Sequence, residues 1–441
     1  MPLAFDADIA AAHVRWMAED IGARPYRSEA ENRAVAGVEE RLIAAGWAVQ
    51  RIGRNPVACR GAGHTLFLAH VDSVPLSPGA VDNAGSVAVL LELARTTTAT
   101  DLCLGFPVGE EAGLIGSHQM ARGWRTIRPQ MPALVVALEF AGDGRPTAVD
   151  LNRTWGTAEL GWLVEHAPTL DIRYTYRATG RALPQNRSDH SAFEDRGIPS
   201  FLLAGRSDIG VFARYHQATD TSVEPNDLAR TAVVLEGLSL GGPPSRGADD
   251  PALPLFGFVI PGWLTWGLLG AGGASALVDL RRWRAMGAGL WRALVGAGAA
   301  AVAMLAVQAL GLDSTEPERT AEAVMGVDST GWWLGAPIGV ALGWMVWAVF
   351  RWRLGGRGSA PLAAGILAAC CTALDPLIAL PFAVAAIVAR IHPLLAVLPA
   401  LILLRPTPLR ELAFHGLLPP IAWGALWLLT WPAFGARPPK R

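Results

Sequence analysis

Residues 65–95 read TLFLAHVDSVPLSPGAVDNAGSVAVLLELAR. The strand-forming stretch 65–68 predicts a short buried strand. After it come His70 and Asp72, a loop rich in Ser, Pro and Gly, the tetrapeptide Asp82-Asn83-Ala84-Gly85, and a helix over 86–95. Strand, loop and helix in that order make half of a parallel βαβ unit. Outward from this stretch the rhythm repeats. Segments 102–108, 134–138 and 198–203 predict further strands. Upstream, Ser28 and Glu31 form a capping-box pattern. It precedes an amphipathic helix with Val35, Val38, Leu42 and Ile43 on one face, ended by Gly46. The alternation predicts an α/β sandwich with a largely parallel sheet, whose ligands bind beyond the carboxyl ends of the strands.

Composition divides the chain. Of 441 residues, 51% are hydrophobic and only 17% are charged, below the roughly 25% of ordinary soluble domains. Residues 1–250 carry 23 basic and 30 acidic side chains, and residues 251–441 carry 14 and 8. Twelve of the 17 Trp lie after position 250. That asymmetry excludes a single soluble globule and a disordered chain. It predicts a soluble domain over 1–245 and a membrane domain over 253–436. A net charge of −1 gives no case for nucleic acid as a partner. Cys59, Cys103, Cys370 and Cys371 form no CxxC pair. Cys59 and Cys103 stand in apolar, strand-like stretches and read as buried free thiols.

Stretches 253–278, 293–312, 329–350 and 412–436 carry no charge, and about 20 apolar residues cross a bilayer. Stretch 358–404 is broken only by Asp375 and Arg390 and predicts two more spans, about six in all. Those two ionisable groups read as span-end or mutually paired residues rather than an ion pathway. Trp263, Trp332, Trp333 and Trp431 suit an aromatic belt, and the lipid bilayer is the expected partner. The arginines at 281, 282, 284, 351, 353 and 357 flank spans one and three, whereas the loop between spans two and three is acidic. The positive-inside rule then puts residues 1–250 outside the cytoplasm. The N-terminal twenty residues, MPLAFDADIAAAHVRWMAED, show neither the basic nor the apolar region of a leader. The two signals conflict, and sidedness stays open at this level.

At the strand ends, chemistry accumulates. The first strand runs into His70 and Asp72, the second into Glu110 and Glu111, and the third ends at Glu139. Loops add Asp82 and the group Tyr215, His216 and Asp220. Imidazoles and carboxylates without thiolates suit Zn²⁺ in a hydrolytic site. Two ions about 3.5–4 Å apart need a shared carboxylate. Asp82 can bridge, with His70 and Glu139 completing one ion's set and Glu111 and His216 the other's. If Glu110 and Glu111 extend the strand, their side chains alternate. One can then bind metal while the other takes a proton from water. Asp72, two residues past His70, can accept the second imidazole N–H. Each element alone is commonplace: an HxD, a Glu pair and a DNAG turn all occur without function. Their joint order at strand ends is not.

The series FLAHVDSV (67–74), GAVDNAGSVAVLLELAR (79–95), GEEAGLIGS (109–117), ALEFAG (137–142), NRSDHSAFEDRGIPSFLL (186–203) and YHQATDTSV (215–223) resembles the co-catalytic dizinc aminopeptidase family. That family includes bacterial leucyl aminopeptidases, glutamate carboxypeptidase II and the glutaminyl cyclases. The resemblance covers nearly all of residues 10–240. A peptidase domain followed by several spans is also similar to the membrane-anchored endoplasmic reticulum metallopeptidase branch. It implies a three-layer zinc-exopeptidase sandwich with a mixed sheet, two Zn²⁺ per chain and a peptide substrate with a free N-terminus. The metal ligands it implies are His70, Asp82, Glu111, Glu139 and His216. Glu110 matches the general base and Asp72 the orienting carboxylate. Many soluble members carry Asp where Glu139 stands. The family's peptide bond after the bridging Asp is often cis, which here falls between Asp82 and Asn83. Asp189 and His190 form a family-like pair near the site, readable as a structural hydrogen-bonded pair or as transition-state stabilisers. Tyr215 can instead donate to the oxyanion.

The expected activity is hydrolysis of an N-terminal peptide bond by a metal-activated water, in a membrane-anchored aminopeptidase. Two rivals stand beside it. A single-zinc glutaminyl cyclase needs fewer ligands than the five present. A peptide-binding or transport protein with an inactive domain should have lost ligands or base, and none is missing.

Overall fold

The computed structural model describes residues 4–149, 155–172, 188–206, 214–245, 253–255, 258–277, 383–384 and 386–387. Its centre is an eight-stranded sheet. The strands are β1 (Val49–Ile52), β2 (Asn55–Arg60), β3 (Thr65–Leu68), β4 (Leu102–Gly105), β5 (Leu134–Glu139), β6 (Arg145–Val149), β7 (Asp171–Ile172) and β8 (Ser200–Arg206). The spatial order is β1-β2-β4-β3-β5-β8-β6-β7. The inner four, β4-β3-β5-β8, are parallel. β2 joins β4 antiparallel on one side, and β6 joins β8 antiparallel on the other. The sheet is therefore mixed, with the predicted strands as its parallel heart.

Helices cover both faces, as parallel strands require. They are α1 (Ala7–Arg15), α2 (Glu29–Ala44), α3 (Gly85–Thr96), α4 (Ile115–Gly123), α5 (Thr157–His166), α6 (Ser191–Glu194) and α7 (Pro225–Gly241). On one face Leu66, Leu68, Cys103, Val135 and Ala137 pack against Met120 and Ala121 of α4, Trp124, and Ala192 and Phe193 of α6. Trp124 meets Phe193 edge to face, ring centroids 6.1 Å apart. The intervening residues Phe67, Leu104 and Val136 are equally buried and point to the opposite face. On their own layer α1, α3 and α7 pack on one another.

Local signals explain several element ends. Ser28 Oγ accepts the Glu31 N–H at 3.0 Å, starting α2. The Glu31 carboxylate reaches back to the Arg27 N–H at 2.8 Å rather than to that of Ser28. Gly46, at φ +80°, follows the end of α2. Of the predicted apolar face, Val35, Val38 and Leu42 are buried, but Ile43 is 61% exposed. β4 ends at Gly105 rather than at residue 108. Chain reversal through Gly109, at φ +79°, turns the following glutamates into a loop.

The thiols are a correction. Cys59 and Cys103 are joined in a disulfide. They stand directly opposite each other on the antiparallel pair β2–β4, with Cα atoms 4.1 Å apart. Antiparallel pairing of segments 44 residues apart is a tertiary fact that no local pattern encodes.

The chain divides into two compact units, one holding β1–β8 and α1–α7, the other holding α8 (Gly262–Leu277). The charge-free run from 253 is not one helix. Two short strands, β9 (Leu253–Leu255) and β10 (Phe258–Ile260), pair with each other before Pro261 and α8. Among the described residues no helix is long and apolar enough to cross a membrane. The predicted spans at 293–312, 329–350 and 412–436, with Asp375, Arg390, Cys370 and Cys371, lie outside the described residues. So does all of 358–404 except 383–384 and 386–387.

Candidate metal centre

The carboxyl ends of the parallel strands converge as the fold predicts. β3 runs into His70, β5 ends on Glu139, and the loop after β4 carries Glu110 and Glu111. The turn before α3 carries Asp82, whose bond to Asn83 is cis. His216 sits in a turn after β8 at φ +60°, a left-handed conformation uncommon for a residue with a Cβ, though histidine is among those that adopt it most readily.

Two sets of donor atoms result, His70–Asp82–Glu139 and Asp82–Glu111–His216, each within 4.8 Å of one another. His70 Nε2 lies 3.4 Å from Asp82 Oδ1 and 3.3 Å from Glu139 Oε2. His216 Nε2 lies 3.4 Å from Asp82 Oδ2 and 3.0 Å from Glu111 Oε2. Asp82 thus turns one oxygen to each imidazole. Within the second set Asp82 Oδ2 and Glu111 Oε1 are buried without a hydrogen-bond partner. Polar atoms are seldom left so in a native fold. Nitrogen and oxygen donors converging in two sets that share one carboxylate, with Asp82 Oδ2 and Glu111 Oε1 left unpartnered, suit zinc.

Supporting bonds fix these ligands. Glu139 Oε1 accepts the Ser188 hydroxyl at 2.8 Å, leaving Oε2 to face His70. Asp220 accepts the N–H groups of Val81 and Asp82 at 2.9 and 3.1 Å, so it holds the turn on which Asp82 rides. Asn83 Nδ2 donates to the Leu138 carbonyl at 2.7 Å. Asp72 faces His70 and has a second task besides. His70 Nδ1 lies 3.1 Å from the Asp72 main-chain carbonyl and 3.7 Å from its carboxylate. The carboxylate also accepts the N–H groups of Gly109, Glu110 and Glu111 at 2.8, 3.1 and 3.1 Å. It thereby orients the loop of glutamates, which follows the end of β4.

The electrostatics are those of crowded carboxylates. Burial pushes Glu110 well above its ordinary value; His70 pulls it down, while Glu139, Asp189 and Glu111 push it further up. Burial and Asp82 push Glu111 up to about 7 against the pull of His216 and His70. Burial raises Glu139, with His70 opposing and Asp82 assisting. Burial depresses the His70 imidazole, but Glu139, Asp72 and Asp82 overcome it and hold it well above normal. His216 is raised likewise, with Glu111 and Asp82 outweighing burial. Asp72 stays below normal, since His70 and its N–H donors outweigh burial.

Around the two donor sets, Asp189 is buried and pushed up to about 7 by burial, Glu139 and Asp72, against the pull of His70 and Ser117. His190, the residue before α6, is buried and pushed down to about 3 by burial alone, hence neutral, with neither donor set contributing to the shift. The Tyr215 ring stacks on His216, centroids 3.7 Å apart, and meets Phe140 edge-on at 5.7 Å. Its phenol is pushed up by burial and by Asp82, Glu111, Glu110 and Glu139, so it keeps its proton. Sequence reasoning named Asp220 without a role and did not find Ser188. No spacing rule links Ser188 to Glu139, 49 residues away.

No curated protein matches the chain. Among solved structures, a zinc aminopeptidase from Bacillus subtilis is similar over 54% of this chain and 95% of its own, at 13% identity and TM-score 0.47. An aminopeptidase from Aneurinibacillus sp. strain AM-1 is similar over 56% and 96%, at 16% identity and TM-score 0.43. Porphyromonas gingivalis glutaminyl cyclase is similar over 53% and 97%, at 17% identity and TM-score 0.44. Residues 53–235 match the model of peptidase family M28. That stretch, 183 of the 441 residues, holds all five converging donors.

Proposed function

We propose that the protein is a two-zinc aminopeptidase, tethered to a bilayer, that removes N-terminal residues from peptides. One observation carries the reading: the two oxygens of Asp82 face two separate imidazoles, each backed by its own glutamate. A single-ion site, as a glutaminyl cyclase would use, leaves one of those sets without a purpose.

His70, Asp82 and Glu139 would hold one ion, and Asp82, Glu111 and His216 the other. Bound there, zinc supplies Lewis acidity to the scissile carbonyl and makes a water acidic near neutral pH. Glu110, which follows β4 beside the ligand candidate Glu111, would take the proton of the attacking water and return it to the leaving amine. The free α-amine of the substrate would lie against the carboxylates. A developing oxyanion would be met by the protonated Tyr215 phenol, whose ring stacks on His216, or by neutral His190, and Asp189 lies in the field of His70 and Glu139.

The membrane part of the proposal rests on charge-free stretches in residues 253–436 and assigns the spans to tethering. The domain boundaries near 245 and 253 go with it. For sidedness we propose the extracytoplasmic face. The arginine distribution supports it, and so does the Cys59–Cys103 disulfide, since disulfides persist in oxidising compartments.

The test is metal content by mass spectrometry together with release of aminoacyl reporters. The expected result is two zinc per chain and measurable release. Glu110→Gln should keep both ions and lose about 10²–10⁴-fold in kcat. Full activity in that variant rejects the mechanism, and one ion per chain with cyclisation of N-terminal Gln favours the rival.

A further inference from the structure

We infer that Arg24 is the positioning residue of the metal centre: its buried guanidinium ties the segment of His70 to the turn of Asp82 and sets the spacing of the donor cage. The inference rests on the metal reading above.

Arg24 is wholly inaccessible to solvent. Its Nε donates to the Val71 carbonyl at 2.8 Å. Nη1 donates to Pro78 at 2.6 Å, Gly22 at 2.9 Å and Met17 at 3.2 Å. Nη2 donates to Gly79 at 3.1 Å. Its main-chain N–H donates to Ser73 Oγ at 3.0 Å, and its carbonyl accepts the Ser73 N–H at 3.2 Å. Ser73 Oγ in turn donates to the Ser77 carbonyl at 3.0 Å.

These acceptors are not scattered. Val71 lies between His70 and Asp72. Pro78 and Gly79 lead into the turn of Asp82, which Gly79 opens in the left-handed region at φ +60°. A Cβ at Gly79 would stand 2.3 Å from the Asp82 carbonyl and 3.0 Å from Arg24 Nη2, so the guanidinium and the turn are in close fit. One planar group with donors pointing in fixed directions thus clamps together the two segments that supply His70 and Asp82.

The chemistry makes this placement informative. Among the described residues all five guanidinium acceptors are main-chain carbonyls, and no described carboxylate pairs with the charge by direct contact. A buried charge without an ion-pair partner is costly. Burial depresses the Arg24 pKa to about 10, and the carboxylates Asp72, Asp82, Asp220 and Glu111 pull it back up. Those are ligands and ligand supports. A fixed cation near them repels incoming metal ions. Coulomb's law alone therefore makes Arg24 a hindrance to metal binding, and its geometric contribution must exceed that repulsion.

The two contributions have opposite signs, which makes the test decisive. Zinc affinity is measured on the full-length protein in detergent, by competition with a chromogenic chelator. Arg24→Met and Arg24→Lys should both bind zinc tenfold or more weakly than the native protein, the range found when ligand-orienting partners are removed. Lysine keeps the charge but cannot reach five carbonyls, so it should not rescue. Tighter zinc binding by Arg24→Met, or native affinity in Arg24→Lys, overturns the proposal. Where neither variant folds, Arg24→Gln decides: it removes the charge and keeps a neutral amide with donors for at most two of the five carbonyls. Weakened affinity there supports the proposal and unchanged affinity overturns it. Failure of the native protein to bind zinc is a different result, which sinks the metal reading itself.

Discussion

At the scale of single residues, the centre is an excess of carboxylates held beside two imidazoles. Glu111 and Asp189 are pushed up to about 7, and His70 and His216 are raised as well. Each of these groups binds its proton more tightly folded than unfolded. Their stabilising contribution is complete below the unfolded values and is lost as pH rises through the folded ones. His13 and His190, pushed down to about 4 and about 3, act oppositely, chiefly below the ordinary histidine value of about 6.5. Between about pH 6.5 and 8 the cluster dominates. Metal-free protein should therefore show a falling thermal midpoint across that window, and saturating zinc should remove the decline. Calorimetry at three pH values, with and without zinc, checks this; a midpoint that climbs with pH in chelated protein contradicts the crowded-cluster account.

At the scale of elements, two connections carry the arrangement. The first is Asp220 to the turn before α3. Asp220→Ala leaves the Val81 and Asp82 N–H groups without their acceptor and should weaken zinc binding about 10–100-fold, read by isothermal titration. The second is the disulfide across β2 and β4. It closes a loop of 44 residues, which constrains the unfolded chain. Replacing both cysteines by serine should cost about 2–4 kcal/mol, read as a denaturation-midpoint shift. Zinc affinity should be nearly unchanged, because β4 pairs through Cys103 near its start while the glutamates follow its other end. A large loss of zinc with no loss of stability would show that the strand pair, and not the loop after it, sets the glutamates.

At the scale of the whole molecule, the asymmetry of charge and tryptophan between residues 1–250 and 251–441 makes the sharpest cellular prediction. The protein should fractionate with membranes and resist extraction by high salt and alkali. Added protease should digest residues 1–250 from the outside of intact cells, and from the periplasmic side where an outer membrane is present. Digestion only after the inner membrane is broken places the domain in the cytoplasm, against both the arginine pattern and the disulfide.

The chain's order alone determined much of this. Uninterrupted apolar stretches must be buried, so segments 65–68, 134–138 and 198–203 announced the parallel strands. Residues that follow such strands must stand at one edge, so His70, Glu139, Glu110, Glu111 and Asp82 were legible as a group. What needed the tertiary structure was every relation between distant segments whose residue types are common. The disulfide depends on β2 lying antiparallel beside β4. The carboxylate of Asp72 serves the Glu110 and Glu111 amides in the loop after β4, which stops three residues short of the predicted end. Ile43 is exposed because helical periodicity gives a stripe but not its width. Arg24 sits in no motif that spacing can detect, and Ser188, inside the 186–203 stretch, carries no local sign of a partner 49 residues away. Their roles arise from which carbonyl or carboxylate the folded chain brings within 3 Å, and hydrogen bonds of that length are directional and short-ranged. Hydrophobic pattern is written locally along the chain; such contacts exist only once the layers have closed.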